Sequence, residues 1–109
     1  PSFSFGLLQR DSARKEYAVG KLSNHGQSCT NVRLEMDPVP TVLTLLGTTK
    51  FEKFDSELSV EIKIFSANSE HTHPLAVHYT DSLGTQRSQS YIVSSQRNFV
   101  HIVENRAED

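Results

Sequence analysis

The residues of this chain that are best suited to chemistry are two histidines, His71 and His73, which stand one residue apart in the segment EHTHP. In an extended backbone, side chains two positions apart project to the same side, so both imidazoles could ligate one zinc or copper ion. His78 or His101 could supply a third ligand. Two histidines alone form an incomplete donor set, since structural zinc sites use four protein ligands. We therefore predict solvated histidines in a polar loop, with no bound metal or other cofactor.

The only cysteine, Cys29, is a second candidate for catalysis. A thiolate nucleophile needs a base and oxyanion donors, and no Gly-rich turn follows Cys29 to provide those donors. Its place at the start of an alternating apolar run favours a half-buried structural thiol. The serines at positions 82, 88, 90, 94 and 95 lie outside any G-x-S-x-G motif, and the five glycines form no phosphate-binding pattern. The sequence therefore predicts no catalytic residue and no enzyme.

Composition favours one globular domain: 36% of the 109 residues are hydrophobic and 22% are charged, which suits a single core between two layers. The 11 basic and 13 acidic residues are interspersed and give a net charge of −2, so we expect no nucleic-acid partner. No apolar run approaches the roughly 20 residues that span a bilayer, so we expect no direct membrane insertion.

The compartment is constrained only by the single cysteine and by the first residue. One cysteine allows no intramolecular disulfide, which favours a reducing cytoplasm. The sequence begins at Pro1 rather than Met, which is typical of a processed or excised piece. Membrane association through a segment outside this chain therefore stays open as the alternative.

Apolar and polar residues alternate with a period of two along most of the chain, which predicts β-strands. The cleanest run is ELSVEIKIF at residues 57–65, and the runs at residues 17–22 and 29–36 flank a turn-forming cluster at residues 23–28. Residues 81–84, DSLG, have the Asp and Gly positions of a type I turn. Further strands are predicted at residues 2–9, 41–46, 75–80, 86–93 and 99–103.

Turn signals every 8 to 12 residues predict an all-β fold, a β-sandwich of seven or eight antiparallel strands. We assign residues 1–103 to this domain and residues 104–109 to a charged tail or linker. Residues 66–74 are predicted as a loop, and residues 50–57 as a loop, or else a helix, whose phenylalanines plug the core. The predicted core consists of Phe5, Leu7, Val19, Val32, Leu34, Leu58, Val60, Ile62, Ile64, Val77 and Tyr79.

Two motifs carry a resemblance to a known family. The first is LSNHG at residues 22–26 followed by TNVRL at residues 30–34, and the second is VHYTDSLG at residues 77–84. Their order resembles an immunoglobulin-like domain found beside membrane segments in many bacterial proteins, and is similar to adhesion-type modules of bacterial envelope proteins. The resemblance spans roughly residues 1–95. It implies an immunoglobulin-like β-sandwich with an accessory role, although the chain lacks the cysteine pair and core tryptophan of antibody domains.

We therefore expect a non-catalytic interaction or spacer domain of a larger bacterial protein, which contacts a protein partner or a neighbouring domain of the same chain. The terminal strands at residues 3–7 and 99–103 are predicted to be open edges, one of which would form a weak homodimer. The alternative is a small ligand-binding module for carbohydrate or metal that uses the loops at residues 23–28 and 66–74. Most aromatic residues fall at inward positions, which disfavours a sugar site.

Overall fold

The computed structural model describes residues 3–37, 39, 42–67 and 69–104. This part of the chain forms ten antiparallel strands and no helix, so none of it provides a helix that could cross a bilayer. The prediction of an all-β antiparallel fold is confirmed, whereas seven or eight strands is too few. The strands are β1 (Phe3–Phe5), β2 (Leu8–Arg10), β3 (Tyr17–Asn24), β4 (Cys29–Glu35), β5 (Leu43–Leu46), β6 (Lys50–Phe54), β7 (Ser59–Ser66), β8 (His71–Thr80), β9 (Gln86–Ser95) and β10 (Phe99–Glu104).

The strands form one continuous sheet in the order β5-β7-β3-β2-β10-β9-β8-β4-β6, with β1 also paired to β3. The sheet curls into a half-barrel, and an immunoglobulin-like sandwich is not confirmed. Its inner face carries the buried side chains and its outer face carries most of the charged ones. Glu104 ends β10, and residues 105–109 of the predicted tail lie outside the described residues.

The last strand, β10, lies inside the sheet, so the prediction that residues 99–103 form an edge is wrong, whereas β1, in the other predicted edge, pairs only with β3 among the described strands. β2 pairs with both β3 and β10, and β10 pairs with both β2 and β9. The two ends of the strand order are instead β5, which pairs with β7, and β6, which pairs with β4. Within the described strands, β5 and β6 are therefore the two strands at which the sheet order ends.

A β-bulge splits the first predicted strand into β1 and β2. Between its two sets of pairs with β3, the first strand advances four residues, from 5 to 9, while β3 retreats three, from 22 to 19. One extra residue reverses which side chains point inward. The prediction that Leu7 belongs to the core is therefore wrong: Leu7 is 50% exposed, and Leu8 is fully buried in its place.

Val19 lies on the outer face of β3, which also contradicts the predicted core. β3 directs Ala18, Gly20 and Leu22 inward instead. A Cβ on Gly20 would stand 2.8 Å from Leu8 Cγ, so the small residues of β3 leave the space that Leu8 fills. Leu8 packs against Gly20 on the inner face of β3, and Val19, although larger, lies on the opposite face.

Leu58 is exposed as well, because β7 begins only at Ser59. The preceding Glu57 has a φ of 64°, and the Leu58 N–H donates to the Asp55 carbonyl at 3.1 Å, so Leu58 belongs to a turn. Val60 is half-buried against the core. The remaining predicted core residues are buried: Phe5, Val32, Leu34, Ile62, Ile64, Val77 and Tyr79.

Two segments that were expected to be loops contain strands. Residues 50–54 form β6, where Phe54 is buried and meets the ring of Phe51 edge to face at 5.7 Å. Both rings do pack on the core, as predicted, but from a strand rather than a loop or helix. Within the predicted loop at residues 66–74, β8 begins at His71, so both candidate histidines lie in a strand.

Candidate functional site

An open groove of about 800 Å³ lies across β6, β4, β8 and β9. Most of its polar side chains come from the outer face, opposite the core. We term it the outer groove and define it by six polar residues that line it: Asn31, Arg33, Lys50, Glu52, His78 and Arg87.

A second β-bulge shapes this groove. Asn31 in β4 has a φ of 51°, a left-handed conformation that asparagine adopts more readily than most residues. Between residues 30 and 33 β4 advances three positions while β8 retreats only two, from 80 to 78. The extra residue lets both Cys29 and Val32 face the core. Bulges of this kind are frequent beside functional sites, where they redirect side chains.

Two unpaired cations lie side by side in the outer groove. Arg33 stands directly opposite Lys50 on β6 and directly opposite His78 on β8. Like charges opposite each other on neighbouring strands destabilise a sheet. Among the residues that the structure describes, the side chains of Arg33 and Lys50 make no hydrogen bond and no ion pair. Their positive charge is therefore available to a ligand.

Two other titratable groups of the groove, Arg87 and His78, are engaged with neighbouring side chains. Arg87 Nε donates to Asp81 Oδ2 at 2.7 Å, and this hydrogen bond is the main reason that the pKa of Asp81 lies below its usual value. His78 Nδ1 lies 2.7 Å from Ser88 Oγ, and His78 Nε2 lies 3.5 Å from a Glu35 carboxylate oxygen. These pairs fix the β8 and β9 side of the groove.

The predicted histidine pair lies elsewhere, on the inner face of β8. The rings of His71 and His73 are half-buried, with their centroids 5.0 Å apart. His71 Nε2 lies 3.4 Å from both Ser66 Oγ and the Ala67 carbonyl. Burial is the main reason that the pKa of His71 lies below its ordinary value. The two histidines do share a side, as predicted, but they are not in a solvated loop.

Neither proposed third ligand joins this pair. His78 has the opposite parity on β8 and projects from the outer face, where it lies beside Ser88. His101 is an exposed residue of β10, flanked by the buried Val100 and Ile102, so it also projects outward. Over the described residues, no group of three or more His, Cys, Asp or Glu side chains is placed to hold a metal ion.

We accordingly expect added zinc to leave the melting temperature nearly unchanged. A ligand that binds the folded state must raise the melting temperature by mass action, and two half-buried imidazoles offer too few donors for tight binding. Thermal unfolding with and without excess zinc measures this. A rise of several degrees that His71→Ala abolishes and His101→Ala preserves would instead establish a metal site at the pair.

A second polar cluster is centred on Arg10, at the end of β2. Its guanidinium donates to the Ser66 carbonyl and to Ser95 Oγ, both at 2.6 Å, and to the Gln96 carbonyl at 2.8 Å. Further bonds reach the carbonyls of residues 15 and 67 at 2.8 and 3.2 Å. Arg10 thereby joins the β2–β3, β7–β8 and β9–β10 connections.

The nucleophilic side chains Ser66 and Ser95 beside Arg10, and Cys29 at the other end of β8, are shielded from solvent. Ser66 and Ser95 are fully buried and lie 2.8 Å apart, although His71 is close enough to suggest a serine–histidine pair. Cys29 is a buried free thiol whose Sγ lies 3.8 Å from the Phe54 carbonyl, and burial raises its pKa. All three residues are at most 2% exposed.

The sequence did not single out Arg10 or the outer groove. The partners of Arg10 lie up to 86 residues away, so no local spacing could reveal them. Arg33 and Lys50 look like ordinary outward residues of alternating strands until the sheet order makes them neighbours. No protein-family model matches the chain, and neither curated proteins nor solved structures give a significant match. The function must therefore be inferred from geometry.

Proposed function

We propose that this domain is a non-catalytic interaction module that binds another protein, or a neighbouring domain of its own chain, through the outer groove. The observation that carries the proposal is the unpaired cation pair, Arg33 and Lys50, in the floor of an open groove. Repulsion between two like charges on neighbouring strands destabilises the sheet, and a negatively charged partner would reduce this repulsion. The nearby bulge at Asn31 adds a local backbone irregularity of the kind that marks binding surfaces.

The burial of the nucleophiles supports binding rather than catalysis. The thiol of Cys29 and the hydroxyls of Ser66 and Ser95 are all enclosed by the core or its polar rim. By contrast, four residues of the outer groove are charged and exposed, which suits recognition of a surface: Arg33, Lys50, Glu52 and Arg87.

A small-ligand site in the end loops receives less support, because those loops are tied down. In the β3–β4 corner, the fully buried Asn24 donates from Nδ2 to the Gln27 carbonyl at 2.9 Å and accepts the Gly26 N–H at 2.9 Å. In the β7–β8 connection, Arg10 holds the carbonyls of Ser66 and Ala67. Several polar groups of each loop are therefore engaged in internal hydrogen bonds.

Site-specific photo-crosslinking tests the proposal. A photoreactive residue at Thr80, which lines the outer groove, should capture a discrete protein partner in cells of the source organism. The same photoreactive residue in place of Glu61, on the outer face of β7, should not capture this partner. With the captured partner purified, Arg33→Glu should weaken binding at least fivefold, since it turns an attraction into a repulsion, while Lys21→Glu on β3 should not. Equal capture from both faces, or an unaffected affinity in Arg33→Glu, would contradict the proposal.

A further inference from the structure

One edge of the half-barrel is the short, charged strand β6. β6 ends the strand order and pairs only with β4 among the described strands. Its sequence is KFEKF, in which Lys50 and Glu52 are exposed and line the outer groove, while Phe51 is partly buried against the core. An edge of this kind presents unpaired backbone groups that another strand can use.

The backbone groups that face this open edge belong to Lys50 and Glu52. The Thr49 carbonyl accepts the Leu34 N–H at 2.9 Å, so residue 49 directs its hydrogen-bonding groups toward β4. These groups alternate sides along an antiparallel strand. Phe51 therefore also bonds toward β4, and residues 50 and 52 direct their N–H and C=O groups away from the sheet.

These two residues make the edge complementary to itself. In an antiparallel pairing of two β6 strands centred on Phe51, Lys50 of one copy stands opposite Glu52 of the other. The same contact recurs across the two-fold axis, because a symmetric interface repeats each pair. Both residues of each pair have outward backbone groups, so each pair can exchange two backbone hydrogen bonds as well as forming an ion pair on the outer face.

We infer that two copies of this domain associate through antiparallel pairing of their β6 strands, centred on Phe51, with reciprocal Lys50–Glu52 ion pairs. The two Phe51 rings meet on the inner face at the centre, where a cross-strand aromatic contact adds stability. Association is weak and concentration-dependent, since a contact of a few residues falls well below the roughly 1,200 Å² of a stable interface. It uses Lys50 and Glu52 of the outer groove and leaves Arg33 and His78 uncovered, so it does not rest on the proposed partner, although both contacts share Lys50.

Charge reversal with sedimentation equilibrium tests this pairing. The wild-type protein should show a monomer–dimer equilibrium in the upper micromolar range. Lys50→Glu places two acidic residues opposite each other in each pair, and Glu52→Lys places two basic residues opposite each other. Each single variant should raise the dimer Kd by about tenfold or more, since two attractive pairs become two repulsive ones. The double variant Lys50→Glu/Glu52→Lys should restore the wild-type Kd.

Mixing the two single variants tests directly whether residues 50 and 52 of different copies contact each other. Neither should dimerise alone, yet in the mixture every acidic pair position meets a basic one, so a heterodimer should form with close to the wild-type Kd. Lys53→Glu is the matched control, because it makes the same change in net charge on the same strand but has Thr49, not an acid, across the axis. Its Kd should stay within about twofold of the wild type.

Any of three results would overturn the inference. The wild type could remain monomeric up to millimolar concentration, the single variants could dimerise as well as the wild type, or the mixture could fail to associate. Circular dichroism checks that each variant is folded, which is expected because the substituted side chains are exposed. As an independent measurement, concentration-dependent amide shifts in nuclear magnetic resonance spectra should be confined to residues 49–53 and their neighbours on β4.

Discussion

Replacing Arg10 with methionine should lower the free energy of unfolding by about 3 kcal/mol, because it removes several hydrogen bonds from a charged donor, each of which contributes roughly 1.5–3 kcal/mol. The affected acceptors are the carbonyls of Ser66, Ala67 and Gln96 and the hydroxyl of Ser95. Methionine retains much of the apolar stem of arginine, so the loss reports the hydrogen bonds more than the packing. Denaturant unfolding followed by circular dichroism measures the difference.

Two variants accompany Arg10→Met. Arg97→Met removes an exposed arginine from the neighbouring β9–β10 turn and should change the stability by less than about 0.5 kcal/mol. Arg10→Lys keeps the charge, but a single ammonium group cannot donate hydrogen bonds to three connections at once. Its free energy of unfolding should therefore lie between those of the wild type and Arg10→Met. If Arg10→Met proved as stable as the control, the cluster would contribute no net stability.

Leu8→Ala should cost about 2–5 kcal/mol, while Leu7→Ala should cost less than about 0.5 kcal/mol. The two leucines are adjacent and chemically identical, so they are matched controls for each other. Only Leu8 is fully buried, and half of Leu7 is exposed to solvent. The comparison of the two unfolding free energies therefore tests the position of the β1–β2 bulge directly. Equal losses, or a larger loss for Leu7→Ala, would place the bulge elsewhere.

A further variant isolates the contact between Leu8 and Gly20. In the wild type, a methyl group on Gly20 would collide with the Leu8 side chain. Gly20→Ala should consequently destabilise the wild type by about 1–3 kcal/mol through overpacking. In the Leu8→Ala background the same substitution has room, so its cost should be smaller. A double-mutant cycle measures this coupling, and a coupling near zero would contradict the packing.

In strands without a bulge, the alternation of apolar and polar residues correctly predicted which side chains face the core. In the strand interrupted by a bulge, the prediction failed. In β7, Ile62 and Ile64 face inward as expected. In the first strand, alternation from Phe3 and Phe5 selects Leu7, but the bulge places Leu8 on the core side instead. The choice depends on Gly20, a residue brought alongside by the fold.

The candidate site was predicted less well, because its residues become neighbours only through strand order. The pair His71 and His73 was recognisable from its spacing, since i and i+2 share a face in any strand. Arg33 and Lys50 lie 17 positions apart in the chain and meet because β4 pairs with β6. That β6 and not β10 is an edge also follows from the sheet order, which local patterns do not encode.

The pairing of β2 with β10 affects how the domain forms during synthesis. Gln9 lies opposite Phe99, 90 residues later in the chain. At translation rates of about 5–20 residues per second, β2 waits roughly 5 to 20 s before β10 exists. During that time the sheet has no centre, and Leu8 has only one of its flanking strands to cover it. A contact so distant in sequence also slows folding in isolation. The last strand to be made is the one that joins the two halves of the sheet.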